Sequence, residues 1–260
     1  MIVTTAGRTN KEMIEKAKQI AAELRIPYVA RRKMSVEELQ KQQHDDVLVV
    51  GKKRLEMYSA DGAPPFFFHP NSAMFRVKRV LRGESEPFLE ATKLQKGMSF
   101  LDCTLGLAAD SIVASVVVGE SGNVTGVEGN RYIAYLVEQG LHQWDSGIAQ
   151  MNEAMKRIRV VHADYRSFLS SLPDRSFDVV YFDPMFEHPI IESDGIQGIK
   201  SFAIYTELTE EVIREAKRVA RQRVVLKDHW QSTRFQRFGF FVYVRKTAKF
   251  HFATIELTEE

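Results

Sequence analysis

The chain has 260 residues, 44% of them apolar and 27% charged, enough to bury one large core or a core with a small companion. Its single cysteine, Cys103, excludes an internal disulfide framework, fits a reducing cytoplasm, and in its apolar stretch reads as packing rather than as a nucleophile. No apolar run reaches the length of a membrane span, "MIVTTAGRTNKEM" lacks a signal peptide's apolar centre, and the net charge of +2 is uninformative as a total.

Taken in order, "MIVTTA" reads as a strand, and Thr9 or Asn10 can cap a helix running to about Leu24. "IPYVA" reads as a second strand, and Ser35 with Glu38 forms the capping-box start of a short helix. "DDVLVVG" and "KRLEMYS" look like a strand pair. Turn signals in "ADGAPPFFFHPNSAM" then place a boundary near residue 70, which makes residues 1–69 a small α/β lobe and 70–260 the main domain.

"FRVKRVLRG" and "EPFLEATKL" follow as helical segments. From Met98 the strands "MSFLDC", "GNVTGVE", "RIRVVHAD", "FDVVYFD" and "QRVVLKD" alternate with helices such as "AADSIVASVVV" and "RYIAYLVEQGLHQW". Continuous apolar strands spaced by helices predict a parallel sheet covered on both faces. "FGFFVYVRK" and "KFHFATIEL" read as a hairpin added to its edge. The expected fold is α/β, a mostly parallel seven-stranded sheet with a C-terminal antiparallel hairpin, which resembles the class I methyltransferases.

Ligands of open α/β sheets bind beyond the carboxyl ends of the strands. Those ends carry Asp102, Glu128, Asp164 and Asp183, and four acids on one rim repel unless they share a ligand rich in donors or positive charge. A nicotinamide dinucleotide would want a glycine-rich turn for its pyrophosphate, but "DCTLGLAAD" offers only Gly106, with Ala108 and Ala109 beyond it. The rim suits S-adenosylmethionine, which presents a sulfonium, an ammonium, a ribose diol and an adenine amine. Glu128 is placed to accept the ribose hydroxyls, and Asp164 the adenine amine with Tyr165 alongside the ring. Asp102 and Asp110 flank the turn and suit the methionine end, although Asp110 equally fits a first-turn acid on a helix. No metal is expected, since the seven histidines do not pair at ligand spacing.

After the fourth of these strands comes "DPMF", and its physics is that of orienting an amine. Asp183 and the carbonyl of Pro184 can accept the two hydrogens of an exocyclic base amine and aim its lone pair, while Phe186 stacks on the base. His188 has three readings, a proton acceptor, a phosphate contact or a turn residue; the last two are favoured because amine methylation needs no strong base before transfer. "IIESDGIQGIKSFAIY", with Gly195, Gly198 and Lys200, is long enough to serve as a substrate loop.

"DPMF" with His188, "LDCTLGLAAD" and "VVHADYRSF" together resemble the small-subunit ribosomal RNA guanine-N2 methyltransferases of the RsmJ type, over about residues 70 to 230. That resemblance implies cofactor positions at Asp110, Glu128, Gly129, Asp164 and Tyr165, and puts Asp183 between S-adenosyl-L-methionine and a target amine in ribosomal RNA. Glu187 stands where the family pattern has a proline. Eleven Lys and Arg between Val212 and His251, opposed by Glu215 and Asp228, form one basic run; Arg76, Lys78, Arg79 and Arg82 form another. Both are expected either as RNA-facing surfaces, with Arg76 and Lys78 as substrate contacts, or as solvated faces. The alternatives are a methyltransferase for a small metabolite or protein side chain, a non-catalytic RNA-binding relative, and last a nicotinamide oxidoreductase.

Overall fold

The computed structural model describes residues 1–185 and 198–257, and these fall into two compact units. Met1–His69 and residues 198–203 make the first; residues 70–185 and 204–257 make the second. Phe186, Glu187, His188 and Gly195 lie outside the described residues.

The first unit runs β1 (Ile2–Thr5), α1 (Lys11–Leu24), α2 (Val36–Gln43), β2 (Val47–Val50) and β3 (Leu55–Tyr58). β1 and β2 are parallel, β3 is antiparallel to β2, and Ile2, Leu39, Val47 and Val49 close a small core. Asn10, not Thr9, caps α1 by accepting from the Met13 N–H at 2.8 Å, and Ser35 and Glu38 form the capping box of α2. "IPYVA" is not a strand; it supplies one bridge, Tyr28 to Val3. Pro27 has no N–H to give a ladder, and Arg32 and Lys33 soon turn the chain into left-handed backbone at φ 44° and 68°.

The second unit opens with α3 (Asn71–Leu81) and α4 (Pro87–Thr92), then alternates β4 (Ser99–Asp102), α5 (Ala109–Val118), β5 (Asn123–Glu128), α6 (Arg131–Gln143), α7 (Ala149–Arg157), β6 (Arg159–His162), α8 (Tyr165–Ser171) and β7 (Phe177–Phe182). It closes with α9 (Glu210–Val219), β8 (Ala220–His229), α10 (Arg234–Arg237), β9 (Phe241–Tyr243) and β10 (Phe250–Glu256). The sheet order is β6-β5-β4-β7-β8-β10-β9, with the first five strands parallel. β4 and β7 are buried almost throughout, as expected for strands covered on both faces.

The hairpin joins the β8 edge as expected, and does so through its later strand: β10 pairs antiparallel with both β8 and β9. Side chains from Phe252 to Thr254 are buried, whereas β9 has three residues with Phe241 exposed, so the short strand takes the edge. From β4 the chain steps one way to β5 and β6, and then returns to β7 on β4's other side. That reversal opens a crevice at the carboxyl ends of β4 and β7.

Candidate active site

β4 ends in Asp102 beside Tyr181 of β7, and the turn that follows rises over the crevice. Gly106 and Ala108 both take left-handed backbone there, φ 49° and 60°; at Ala108 an L side chain occupies a conformation that glycine adopts without cost. Asp102 is buried and accepts from Ser111 Oγ at 2.7 Å and the Thr104 N–H at 3.0 Å. Burial outweighs those hydrogen bonds and pushes its carboxyl up to about 7.

One turn on, Asp110 points back under the sheet's end. It accepts from Arg76 Nη1 at 2.7 Å and Tyr181 OH at 2.9 Å, with Lys227 Nζ at 3.5 Å. Burial opposes its charge, but Lys227 and Arg76 prevail and hold its carboxyl low, at about 2. Arg76 also binds Glu86 at 2.9 Å, and its side chain is only 17% exposed. Arg76 of the expected RNA-facing pair is thus turned inward onto two carboxylates, and only Lys78 stands exposed.

Asp183 follows β7 directly. Its N–H donates to Thr104 Oγ1 at 2.6 Å, and Lys227 Nζ donates to its Oδ2 at 2.6 Å. Burial raises the Asp183 carboxyl to about 6 against the pull of Lys227. Lys227 is itself pushed upward, because Asp110 and Asp183 outweigh its desolvation. The result is a continuous chain of alternating charge, Glu86–Arg76–Asp110–Lys227–Asp183, in which two cations fix three carboxylates beneath the crevice. In the sequence Lys227 reads as one cation among the eleven of the basic run. Its signal was available in "VVLKD", where a charge interrupts a buried strand at the same carboxyl end that carries Asp183.

The remaining acids separate. Glu128 ends β5 and accepts from the Gly106 N–H at 3.2 Å and the Asn130 N–H at 2.9 Å, one on each oxygen, while burial raises its carboxyl. Gly129 beside it leaves little room, since a Cβ there would come within 3.3 Å of Ile204 Cδ1. Asp164 caps α8 through the Arg166 N–H at 2.9 Å and pairs with the Arg166 guanidinium, which holds its carboxyl low. Tyr165 is buried edge-on against Phe182, with its hydroxyl donating to the carbonyls of Thr206 and Glu207. The structure therefore brings Asp110 and Asp183 together around Lys227, gives Asp102 to Ser111 and Thr104 beside them, links Glu128 to the Gly106 turn, and gives Asp164 local partners. Cys103 is buried, and its thiol is pushed up by that burial, as suits a packing residue. Among the described residues no group of His, Cys, Asp and Glu has a metal-binding arrangement.

Folding pairs most of the long basic run with carboxylates and leaves Lys217, Lys246 and Lys249 exposed. Arg218 lies on Glu215 and Asp174, Arg234 on buried Asp228, Arg237 on Glu207, Arg214 on Glu211 and Arg223 on Glu256. α9 takes its last-turn cations from this run, the usual pattern of a solvated amphipathic helix.

The sheet order and acidic rim define the class I methyltransferase architecture. A solved structure described as the SAM-dependent methyltransferase NGO1261 from Neisseria gonorrhoeae shares the fold with a TM-score of 0.63 at 13% identity, over 98% of this chain and 96% of that one. A family model described as "Putative SAM-dependent methyltransferase" matches residues 28–237, and the chain belongs to that family. It is 52% identical over 255 residues to "Uncharacterized protein YpiP" of Bacillus subtilis (strain 168), covering 98% of this chain and 99% of that protein. It is 28% identical over 199 residues to "Ribosomal RNA small subunit methyltransferase J" of Vibrio parahaemolyticus, covering 70% of this chain and 75% of that protein.

S-adenosyl-L-methionine is the cofactor of the family, and the donor set fits it. Glu128 already accepts from backbone N–H groups and would hold the ribose hydroxyls through the acceptor capacity that remains. Asp110, charged beside Arg76 and Lys227, and Asp102, whose carboxyl burial raises to about 7, would flank the methionine end, with the left-handed turn at Gly106 between them.

Proposed function

We propose that this methyltransferase acts on an exocyclic base amine of RNA, and that its target is guanine N2 in small-subunit ribosomal RNA. The observation that carries the reading is Asp183, placed directly after β7, braced by Thr104 through its backbone and by Lys227 through its carboxylate. A base amine is a weak nucleophile, because its lone pair is delocalised into the ring. Asp183 accepts one amine hydrogen and the Pro184 carbonyl the other, which turns the lone pair outward, and Lys227 keeps Asp183 an acceptor by favouring its charged form. When bound, the cofactor supplies an electrophilic methyl group on a sulfonium. Asp183, with a carboxyl raised to about 6, takes the proton released after transfer. Phe186 and His188 enter through the sequence pattern alone, as a stacking ring and as a turn or phosphate contact.

The relatives named for small-subunit ribosomal RNA support the substrate. A second reading, a small metabolite, is favoured by the dispersal of the C-terminal basic run onto carboxylates. Mass spectrometry of ribosomal RNA from a strain lacking the gene separates them. One N2-methylguanosine is expected to vanish from the small subunit and return on complementation; an unchanged nucleoside profile would move the substrate to the metabolite class.

A further inference from the structure

The first unit carries a second concentration of charge that the reaction centre does not use. β1 and β2 are parallel and end in register, Thr5 opposite Val50, and the Ala6 N–H continues the pairing to the Val50 carbonyl. Beyond β1 come Gly7 and Arg8; beyond β2 come Gly51, Lys52 and Lys53, in the tight turn closed by the Gly51 N–H on the Arg54 carbonyl. On the other side of β1, the Val29 N–H binds the Val3 carbonyl, so Arg31, Arg32 and Lys33 emerge at the same end. Three loops far apart in sequence thus meet at one edge, and each brings cations.

The acids at that end are largely engaged. Glu37 lies on Lys41, Glu38 is in the capping box of α2, and Glu56 takes Arg54 and the Tyr58 hydroxyl, which leaves Glu12 in the first turn of α1. Asp45 and Asp46 sit at the opposite end, engaged by the Met1 amino group and the Ala60 N–H. Among the described residues, exposed Arg8, Arg32, Lys33, Lys52 and Lys53 have no carboxylate at ion-pair distance. The loop that holds two of them is built rather than loose. Arg31 Nε donates to the Met34 carbonyl at 2.8 Å and its Nη1 to the Thr5 carbonyl at 3.3 Å, pinning the loop to the end of β1. Arg32 and Lys33 are consecutive residues in left-handed backbone, and both are exposed, so core packing does not explain their conformation.

We propose that this basic edge is a phosphodiester-binding surface that holds the RNA whose base is methylated, an inference that rests on the function proposed above. Unpaired cations spread over several loops suit a polyanion, whose binding releases counterions and is steeply salt-dependent.

The test is filter binding of full-length protein to small-subunit ribosomal RNA, from about 50 to 300 mM NaCl, comparing wild type with an Arg8→Glu, Lys52→Glu, Lys53→Glu variant. The variant is expected to bind at least about tenfold more weakly at the middle of that range, with a log–log salt slope shallower by about 2. Its affinity for S-adenosyl-L-methionine by calorimetry should match wild type. A Lys52→Gln, Lys53→Gln variant, expected to lose about 1 from the slope, stands in should charge reversal prevent folding. A folded variant with wild-type affinity and slope overturns the surface and leaves the base-methylating reading intact. Wild-type protein that binds the cofactor but no RNA overturns both. Preference for phosphatidylserine vesicles over RNA overturns the surface in favour of a membrane.

Discussion

The two units use charge in opposite ways. At the crevice of the second, Arg76 and Lys227 are buried among Glu86, Asp110 and Asp183 at distances of 2.6 to 3.5 Å. At the basic edge of the first, Arg8, Lys52 and Lys53 face solvent. Low dielectric makes the first set strong and costly to break, whereas water and salt make the second weak per contact and additive over a long ligand. Buried pairs hold a few atoms in one geometry, as orienting an amine requires; exposed cations hold a chain of phosphates with little demand on geometry. The number of Lys and Arg in a stretch is therefore a poor guide to how many of them folding leaves unpaired. The C-terminal run is the richer of the two in sequence, yet seven of its eleven cations pair with carboxylates.

The comparison can be broken most severely at Asp183. Asp183→Ala is expected to lower methyl transfer by at least about a hundredfold, read with radiolabelled cofactor and ribosomal RNA. Cofactor affinity should stay within about tenfold, or about 1.4 kcal/mol, because Lys227 keeps Asp110 as a partner. Near-normal turnover in the variant would remove Asp183 from the mechanism.

Arg76→Met tests the inward reading of that cation. Stranding Asp110 and Glu86 without it should cost about 3–5 kcal/mol in urea unfolding, while the salt slope of RNA binding stays at the wild-type value. A change confined to the slope would return Arg76 to the surface.

The smallest expected effect is on pH dependence. Asp102 and Asp183 are raised from 3.8 to about 7 and about 6, so the folded state keeps protons that the unfolded state has released. Stability from these two groups is present in full below about pH 4 and is lost as pH rises toward 7. Asp110, held at about 2, acts in the opposite sense, its contribution lost only as pH falls from about 4 toward 2. The melting temperature should therefore be higher near pH 5 than near pH 8, and Asp102→Asn should narrow that gap. An unchanged gap in the variant would mean that Asp102 is already ionised at pH 5.

Much of this arrangement was legible in the sequence for a physical reason. Strands covered on both faces must be apolar throughout, so an acid that ends such a run is conspicuous; Asp102, Glu128 and Asp183 were found in that way, and the sheet with them. Capping is also local chemistry, which is why Ser35 and Glu38 are legible as a pair in the sequence. "IPYVA" misled because its composition suits a strand while its pairing depends on what lies beside it. The order of β9 and β10 likewise depends on which strand the sheet can bury.

The sequence by itself determined the elements of the main sheet, the acids at their ends and the family, because these follow from local periodicity and from residues adjacent in the chain. Only the tertiary structure decided which charges are partners. Arg76 and Asp110 are 34 positions apart, and Lys227 and Asp183 are 44 apart. Whether a cation becomes the keystone of a buried site or a free charge at an edge depends on the carboxylates that folding brings to it, and nothing in its neighbours along the chain encodes that.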